Sequence, residues 1–411
     1  MLNWVQELGR VYINEWMKLM RRRRLWITLL LGVIVLAGLS YISWSQYQNG
    51  LEYNSLEARE RYLQQDKDRV ADLQEQLKKG VPEEEENNIK QEIELAKESI
   101  ASMEPALKEE QELVYGDWKK ILTEQKEGLE LSIKEMEEAG ETDSYAQQAL
   151  MLNQYHLDNN IRPLQHWEGS AFASTSDLLY FTSLVFLPML VVILVADMVS
   201  GETTSGTIKL LLVRPVSRFT ILLGKWLVAI SATVVLTLAF CAILFGIQLL
   251  LFGGEGADQP QMVGVTYTFE QQMIEGTPQT VAIGHYDNAS IIPQYEYILG
   301  SIGLLALAMM AVATLTFFTS TWFQSAMVST GVAFGIVIVG NIITQMVSSG
   351  KWLFWLFSLY LHPALLWTGE MSRDLEFSFT LGAGLAVLAA WTIVGLLLSI
   401  IRFQRKDILQ A

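Results

Sequence analysis

Six stretches of this chain are long enough to cross a bilayer, and nothing else in the sequence limits its fold as tightly. Hydrocarbon offers no water to backbone N–H and C=O groups, so a crossing helix needs roughly 20 apolar residues in a row. Residues 25–44, 178–196, 226–252 and 377–401 carry no charge at all. Between Glu296 and Lys351 lie 54 consecutive uncharged residues, too many for one crossing and right for two with a turn at residues 321–324. A further uncharged stretch, 352–369, is split by His362-Pro363 into halves too short to span, and reads as a re-entrant or interfacial helix pair. The expected fold is therefore an all-α polytopic membrane protein with six transmembrane helices.

Charge sets the expected orientation. With six spans, Arg10, Lys18, residues 21–24 (all Arg), Lys209, Arg214, Arg218, Lys225, Arg402, Arg405 and Lys406 fall on one side, leaving Lys351 and Arg373 on the other. By the positive-inside rule the first side is cytoplasmic, with both termini. Trp26, Trp44, Trp226, Trp322, Trp352 and Trp355 near the ends of apolar runs read as interfacial anchors. Gly331, Gly335, Gly340, Gly382 and Gly384 read as sites of close helix approach, with a dimer seam as the second option.

The net charge of −15 belongs to one region, because residues 45–176 hold 29 acidic against 14 basic side chains and the rest of the chain is neutral. This region is rich in Glu, Gln, Lys, Leu and Ala, which favour helix, and is expected to form a large helical extracellular insertion between spans 1 and 2. Span 1 is expected to continue as helix to about Lys79 and turn at Gly80-Val81-Pro82. The next helix should restart at residues 83–86 and break near Pro105, and another should run to Glu138 and end at Gly140. Its acidity suits a cationic peptide or an extracellular protein, although charged faces are most often simply solvated. Residues 253–296 are punctuated by Gly and Pro, with a strand-like run at 263–269. The only cysteine, Cys241, sits in an apolar run and excludes an intrachain disulfide.

The link between spans 2 and 3 contains Glu202-x-x-x-Gly206-Thr207, then Leu210-Leu211, Pro215-x-Ser217-Arg218, and Lys225 opening the next span. Ser200 or Thr203 can cap a helix here with Glu202 in its first turn, Pro215 stops it after about three turns, and Arg214, Arg218 and Lys225 are expected to face headgroups. This ordered set resembles the coupling segment of ABC-2 permeases, the membrane subunits of exporter-like ABC transporters. The resemblance implies that Glu202, Gly206, Thr207, Leu210, Pro215, Ser217 and Arg218 dock on a separate cytoplasmic ABC ATPase. It also implies that ATP and Mg are held by that partner and not by this chain, and that a second permease protomer, identical or paralogous, completes the assembly. The amphipathic N-terminal segment, with Trp4, Leu8, Val11, Tyr12, Trp16 and Leu19 on one face and a Glu15-x-x-Lys18 pair, matches the cytoplasmic elbow helix of that family. The 45–176 insertion exceeds the small loop of its simplest members.

The expected organisation is an elbow helix at 1–24, span 1 at 25–44, the acidic helical extracellular domain at 45–176 and span 2 at 178–196. The coupling segment at 197–225, span 3 at 226–252, an extracellular loop at 253–296, span 4 at 297–320 and span 5 at 325–350 follow. An extracellular re-entrant helix pair at 351–376, span 6 at 377–401 and a cytoplasmic tail at 402–411 complete the chain. No G-x-x-x-x-G-K-[ST] loop occurs, and Gly224-Lys225 and Gly350-Lys351 lack its other residues, so the chain is not expected to hydrolyse ATP itself. The histidines, His156, His166, His285 and His362, have no metal-ligand spacing, and no catalytic residue, resident cofactor or nucleic-acid partner is expected. Within the spans only Asn341 and Gln345 stand out as polar groups, which argues against an ion-coupled carrier. The expected function is export of an amphiphile, peptide or lipid-linked molecule from a multi-pass position in the cell membrane. The alternative is an ABC-powered mechanotransmitter, or a module for sensing or resisting antimicrobial peptides, that works through the acidic domain.

Overall fold

Arg21 and Arg22 interrupt the first helical stretch, giving α1 (Leu2–Met20) and α2 (Arg23–Asn54). The computed structural model describes residues 2–139, 142–207, 216–274, 277–347 and 350–405. They divide into a bundle unit (residues 1–40, 171–257 and 261–411) and a helical unit (41–170 and 258–260).

In the bundle, α7 (Ala171–Phe181), a π-helical turn (Thr182–Phe186) and α8 (Leu187–Val195) lead into the short α9 (Ser200–Thr204). Then come α10 (Arg218–Phe252), α11 (Gln294–Trp322), α12 (Ala326–Met346) and, near the end of the chain, α15 (Leu381–Arg405). Among the described residues six helical stretches are long and apolar enough to cross a membrane, so the chain is a multi-pass membrane protein. The turn expected near Thr321 is present, since α11 stops at Trp322 and Ser325 caps α12 by accepting from Val328 N. The core draws on Leu187, Val191 and Val195 of α8, Leu222, Val228 and Leu244 of α10, Met309 and Phe317 of α11, and Phe403 of α15. Lipid is as apolar as these side chains, so their packing holds the helices together through close contact and interhelical hydrogen bonds. Asn341 supplies one such bond, donating to Leu184 O in the π-turn at 2.6 Å. Trp226 supplies another, donating to Thr314 Oγ1 at 3.1 Å, so this indole joins two helices instead of anchoring in headgroups. Of the glycines expected at close approaches, Gly340 and Gly384 meet neighbouring side chains, whereas Gly331, Gly335 and Gly382 face open space.

The bundle is not wholly helical. The stretch read from sequence as a loop forms β1 (Pro260–Val263), β2 (Thr266–Ile274), β3 (Thr277–His285) and β4 (Ser290–Pro293). β2 pairs antiparallel with β3 from Thr266↔His285 to Ile274↔Thr277, and β1 pairs with β4. The β-branched and aromatic residues of β2 suit a pleated surface, and the strand-like run was legible in part. Residues 351–376 form two 3-10 turns (Lys351–Trp355 and Phe357–Leu361) and two short helices, α13 (Pro363–Thr368) and α14 (Glu370–Asp374), broken at His362-Pro363 as expected.

The helical unit contains α3 (Leu56–Lys79), α4 (Glu83–Tyr115), α5 (Trp118–Glu138) and α6 (Ser144–Asn159). The turn at Gly80 is present, with φ +86, and the expected end at Gly140 lies outside the described residues. Two expectations fail here. The helix leaving span 1 does not run unbroken to Lys79, because Ser55 takes an extended conformation and its side chain accepts from Ala58 N, capping a new helix. Conversely, α4 runs straight through Pro105. Proline removes one backbone hydrogen bond, but Ile100, Met103 and Leu107 on either side of it pack with Leu56 and Leu63 of α3, and that apolar seam keeps the helix whole.

Candidate functional site: a buried charge cluster on α1, α9 and α10

Helix α1 lies along the first half of α10 in parallel. Trp4 Nε1 donates to Thr220 Oγ1 at 3.0 Å, and Tyr12 donates to Ser231 Oγ at 2.9 Å. Gly224 permits this approach, since a Cβ there would stand 2.6 Å from Val11 Cγ1. Its neighbour Lys225 is consequently drawn inward instead of reaching headgroups, and is 2% exposed.

Lys225 Nζ sits 2.6 Å from Glu15 Oε2 and 2.8 Å from Glu202 Oε2, and 3.4 Å from Met198 O. Lys18 Nζ completes a ring, at 2.6 Å from Glu15 Oε1 and 3.1 Å from Glu202 Oε1. Glu15 and Glu202 are each 8% exposed, so two carboxylates and two ammonium groups form a neutral, largely dry cluster joining α1, α9 and α10. Burial alone would raise the Glu15 carboxyl, but the Lys225 charge and the hydrogen bonds from Lys18 and Lys225 outweigh it and hold Glu15 below its ordinary 4.5. Burial likewise opposes charge on Lys18, yet Glu15 and Glu202 raise it above its ordinary 10.5. Beside the cluster, Asp197 accepts from Arg22 at 2.6 Å and from Arg24 at 3.4 Å, a second tie between the N-terminal region and the end of span 2.

On its other side α9 is held by the turn between α11 and α12. Neither Ser200 nor Thr203 caps it. Ser200 Oγ donates to Ala196 O and Thr203 Oγ1 to Val199 O, while the cap comes from Ser320, whose Oγ accepts from Val199 N at 3.0 Å and Ser200 N at 3.1 Å. Ser329 donates to Ala196 O at 2.8 Å, and Thr204 Oγ1 lies 2.9 Å from Gln324 O. Helix α9 is thus clasped between a charge cluster and a hydroxyl cluster.

The residues expected from sequence to dock a partner fall into three groups. Glu202 points inward into the cluster. Gly206, at φ +70 in the left-handed region, and Thr207 lie exposed just past α9. Ser217 caps α10 by accepting from Thr220 N at 3.0 Å, and the half-buried Arg218 donates to Gln404 O at 3.4 Å. Leu210 and Pro215 lie outside the described residues, but the expected three-turn rod does not run on unbroken toward Pro215, because α9 ends at Thr204 and residues 205–207 form a turn with Gly206 in the left-handed region. The sequence pointed to the Glu15-x-x-Lys18 pair and to Lys225 separately but not to their meeting, and the expectation that Lys225 faces headgroups fails, since it is buried between Glu15 and Glu202. Among the described residues no group of three or more His, Cys, Asp or Glu could hold a metal ion.

A family model described as ABC-2 family transporter protein matches residues 10–408, nearly the whole chain. An uncharacterized protein of Bacillus subtilis (strain 168), YhcI, is 27% identical over 297 residues, covering 71% of this chain and 84% of the relative.

Proposed function

Since the chain belongs to the ABC-2 transporter permease family, we propose that it is the membrane-spanning subunit of an ATP-driven exporter worked by a separate cytoplasmic ATPase. The ATPase meets the exposed Gly206-Thr207 edge and Arg218, and the charge cluster of Glu15, Lys18, Glu202 and Lys225 carries the displacement into α1 and span 3. One observation supports this above the rest: Lys225 pairs with a carboxylate on each of two other helices while only 2% exposed. Pulling α9 away would leave buried charges unpaired, at a cost of about 3–5 kcal/mol, so the three helices move together more readily than they separate. Two protomers, identical or paralogous, enclose the path, and an amphiphile, peptide or lipid-linked molecule is carried outward. Both termini are cytoplasmic on this reading, and the helical unit projects outside the cell.

A second reading draws on the helical unit, which has apolar cores of its own around Leu56, Leu63 and Leu107 and around Val70, Leu73 and Ile93. A unit with its own core could relay ATPase-driven motion to an extracellular protein or receive a cationic peptide. The test is reconstitution with the cognate ATPase. Replacing Gly206 by Trp, or Glu202 by Ala, is expected to leave membrane insertion and basal ATP hydrolysis intact while abolishing substrate-dependent hydrolysis. Coupling that survives both changes, or a chain that purifies with no ATPase, contradicts the docking assignment. Deleting the helical unit separates the two readings, because export survives it and relay does not.

A further inference from the structure

At the other end of span 2 from the charge cluster, roughly 25 Å away along the helix, the bundle contains a cavity of about 260 Å³. Its wall is half polar and half apolar. The polar half comprises Tyr180, Thr344, Gln345, Ser358, His362 and Asp374, and the remainder is aliphatic and thioether surface. Three features distinguish it from a packing gap. First, the wall gathers hydrogen-bonding side chains from three separate elements, Tyr180 of α7, Thr344 and Gln345 of α12, and Ser358 of the 3-10 turn Phe357–Leu361. Second, His362 is fixed in place, with Nδ1 2.8 Å from Ser183 Oγ and its ring edge-on to Tyr180 at a centroid distance of 4.7 Å. Third, Leu184 on the cavity wall belongs to the π-turn of span 2, a rare form frequent at functional sites, and its carbonyl is taken by Asn341. Asp374, the only carboxylate among the described residues of the wall, is exposed and paired with Arg373, so the depth of the cavity presents neutral hydrogen-bonding groups.

We propose that this cavity binds the uncharged, hydroxyl-bearing head group of an amphiphile, glyceryl or glycosyl in kind, whose chain follows the apolar wall. Hydroxyls can both donate and accept, which suits a wall of serine, threonine, amide and imidazole groups, whereas a charged head would meet only Asp374, at the exposed edge and already paired with Arg373. The site lies within one protomer and does not depend on the coupling reading.

The test uses the full chain in nanodiscs with a diazirine-bearing monoacylglycerol. Photolabelling is expected on peptides containing Tyr180, Gln345 or Ser358, competed by unlabelled monoacylglycerol and not by the fatty acid of equal chain length. Ser358→Phe, which fills the cavity, and Gln345→Leu, which removes one polar group at lower risk to folding, should each reduce this labelling by about fivefold, the equivalent of one hydrogen bond. Equal competition by the fatty acid, labelling unchanged in both variants, or a cavity holding only water overturns the proposal. Stimulation of ATP hydrolysis by monoacylglycerol in the assembled complex would make the ligand cargo, and its co-purification without stimulation would make it a resident lipid. Both outcomes support the site. Photolabelling needs no ATPase, so its failure leaves the coupling reading untouched.

Discussion

Replacing Lys225 by Met keeps the length of the side chain and removes the ammonium from between Glu15 and Glu202. At 2.6 and 2.8 Å, and with an effective dielectric constant of about 20, each attraction is worth about 6 kcal/mol. Much of that is offset because an ammonium no longer has to be stripped of water, and because Glu15 or Glu202 can take up a proton. Removing one member of a buried pair costs about 3–5 kcal/mol in practice, so K225M should destabilise the bundle by that amount. The matching Lys18→Met change removes a partly exposed charge and should cost under about 1 kcal/mol. Reversible unfolding by SDS in mixed micelles, followed by tryptophan fluorescence, measures both. A loss of about 3 kcal/mol corresponds to a change of about 150-fold in the folding equilibrium, well within the range of the assay. The double variant E15Q/K225M removes opposite charges together and should be more stable than the sum of its single changes predicts, by about 1 kcal/mol or more. Strict additivity, or a K225M protein as stable as the parent, would refute the claim that these charges act as one cluster.

Three further outcomes follow from the same contacts. Gly224→Val should push α1 away from α10 and cost about 1–3 kcal/mol, with partial recovery when Val11→Ala is added, as read by the same unfolding assay. Glu15 has a lowered pKa, so its ionised form contributes stability above the unfolded carboxylate value, and that contribution disappears as pH falls through the folded value. The stability difference between parent and Glu15→Gln should therefore be level between pH 5 and pH 9 and shrink below about pH 4.5, and a difference that grows on acidification would contradict the sign. In the helical unit, Glu110 accepts from Trp167 Nε1 at 2.5 Å and pairs with Arg59 at 2.6 Å. Glu110→Ala should thus raise hydrogen exchange throughout α3 and α4 by about tenfold or more, and a local change confined to residue 110 would show that the contact carries little.

What the sequence determined by itself was the class of the molecule and the position of its crossings. A run of some 20 uncharged apolar residues has one stable form in hydrocarbon, and this local rule placed six helices without any knowledge of their neighbours. It also placed the turn at Gly80, the break at His362-Pro363 and the acidic character of the inserted unit. The cap at Ser55 was legible too, in a serine followed by Glu57 in the first helical turn, although the longer helical pattern hid it. Tertiary structure alone decided the rest. Pro105 stays helical because of a seam with α3 that local propensity does not describe. Lys225 lies 210 residues from Glu15, and a basic residue near a membrane end looks the same in sequence whether it faces headgroups or a buried carboxylate. Which of these it does depends on where another helix lies, and here Gly224 let α1 come close enough to supply the partner.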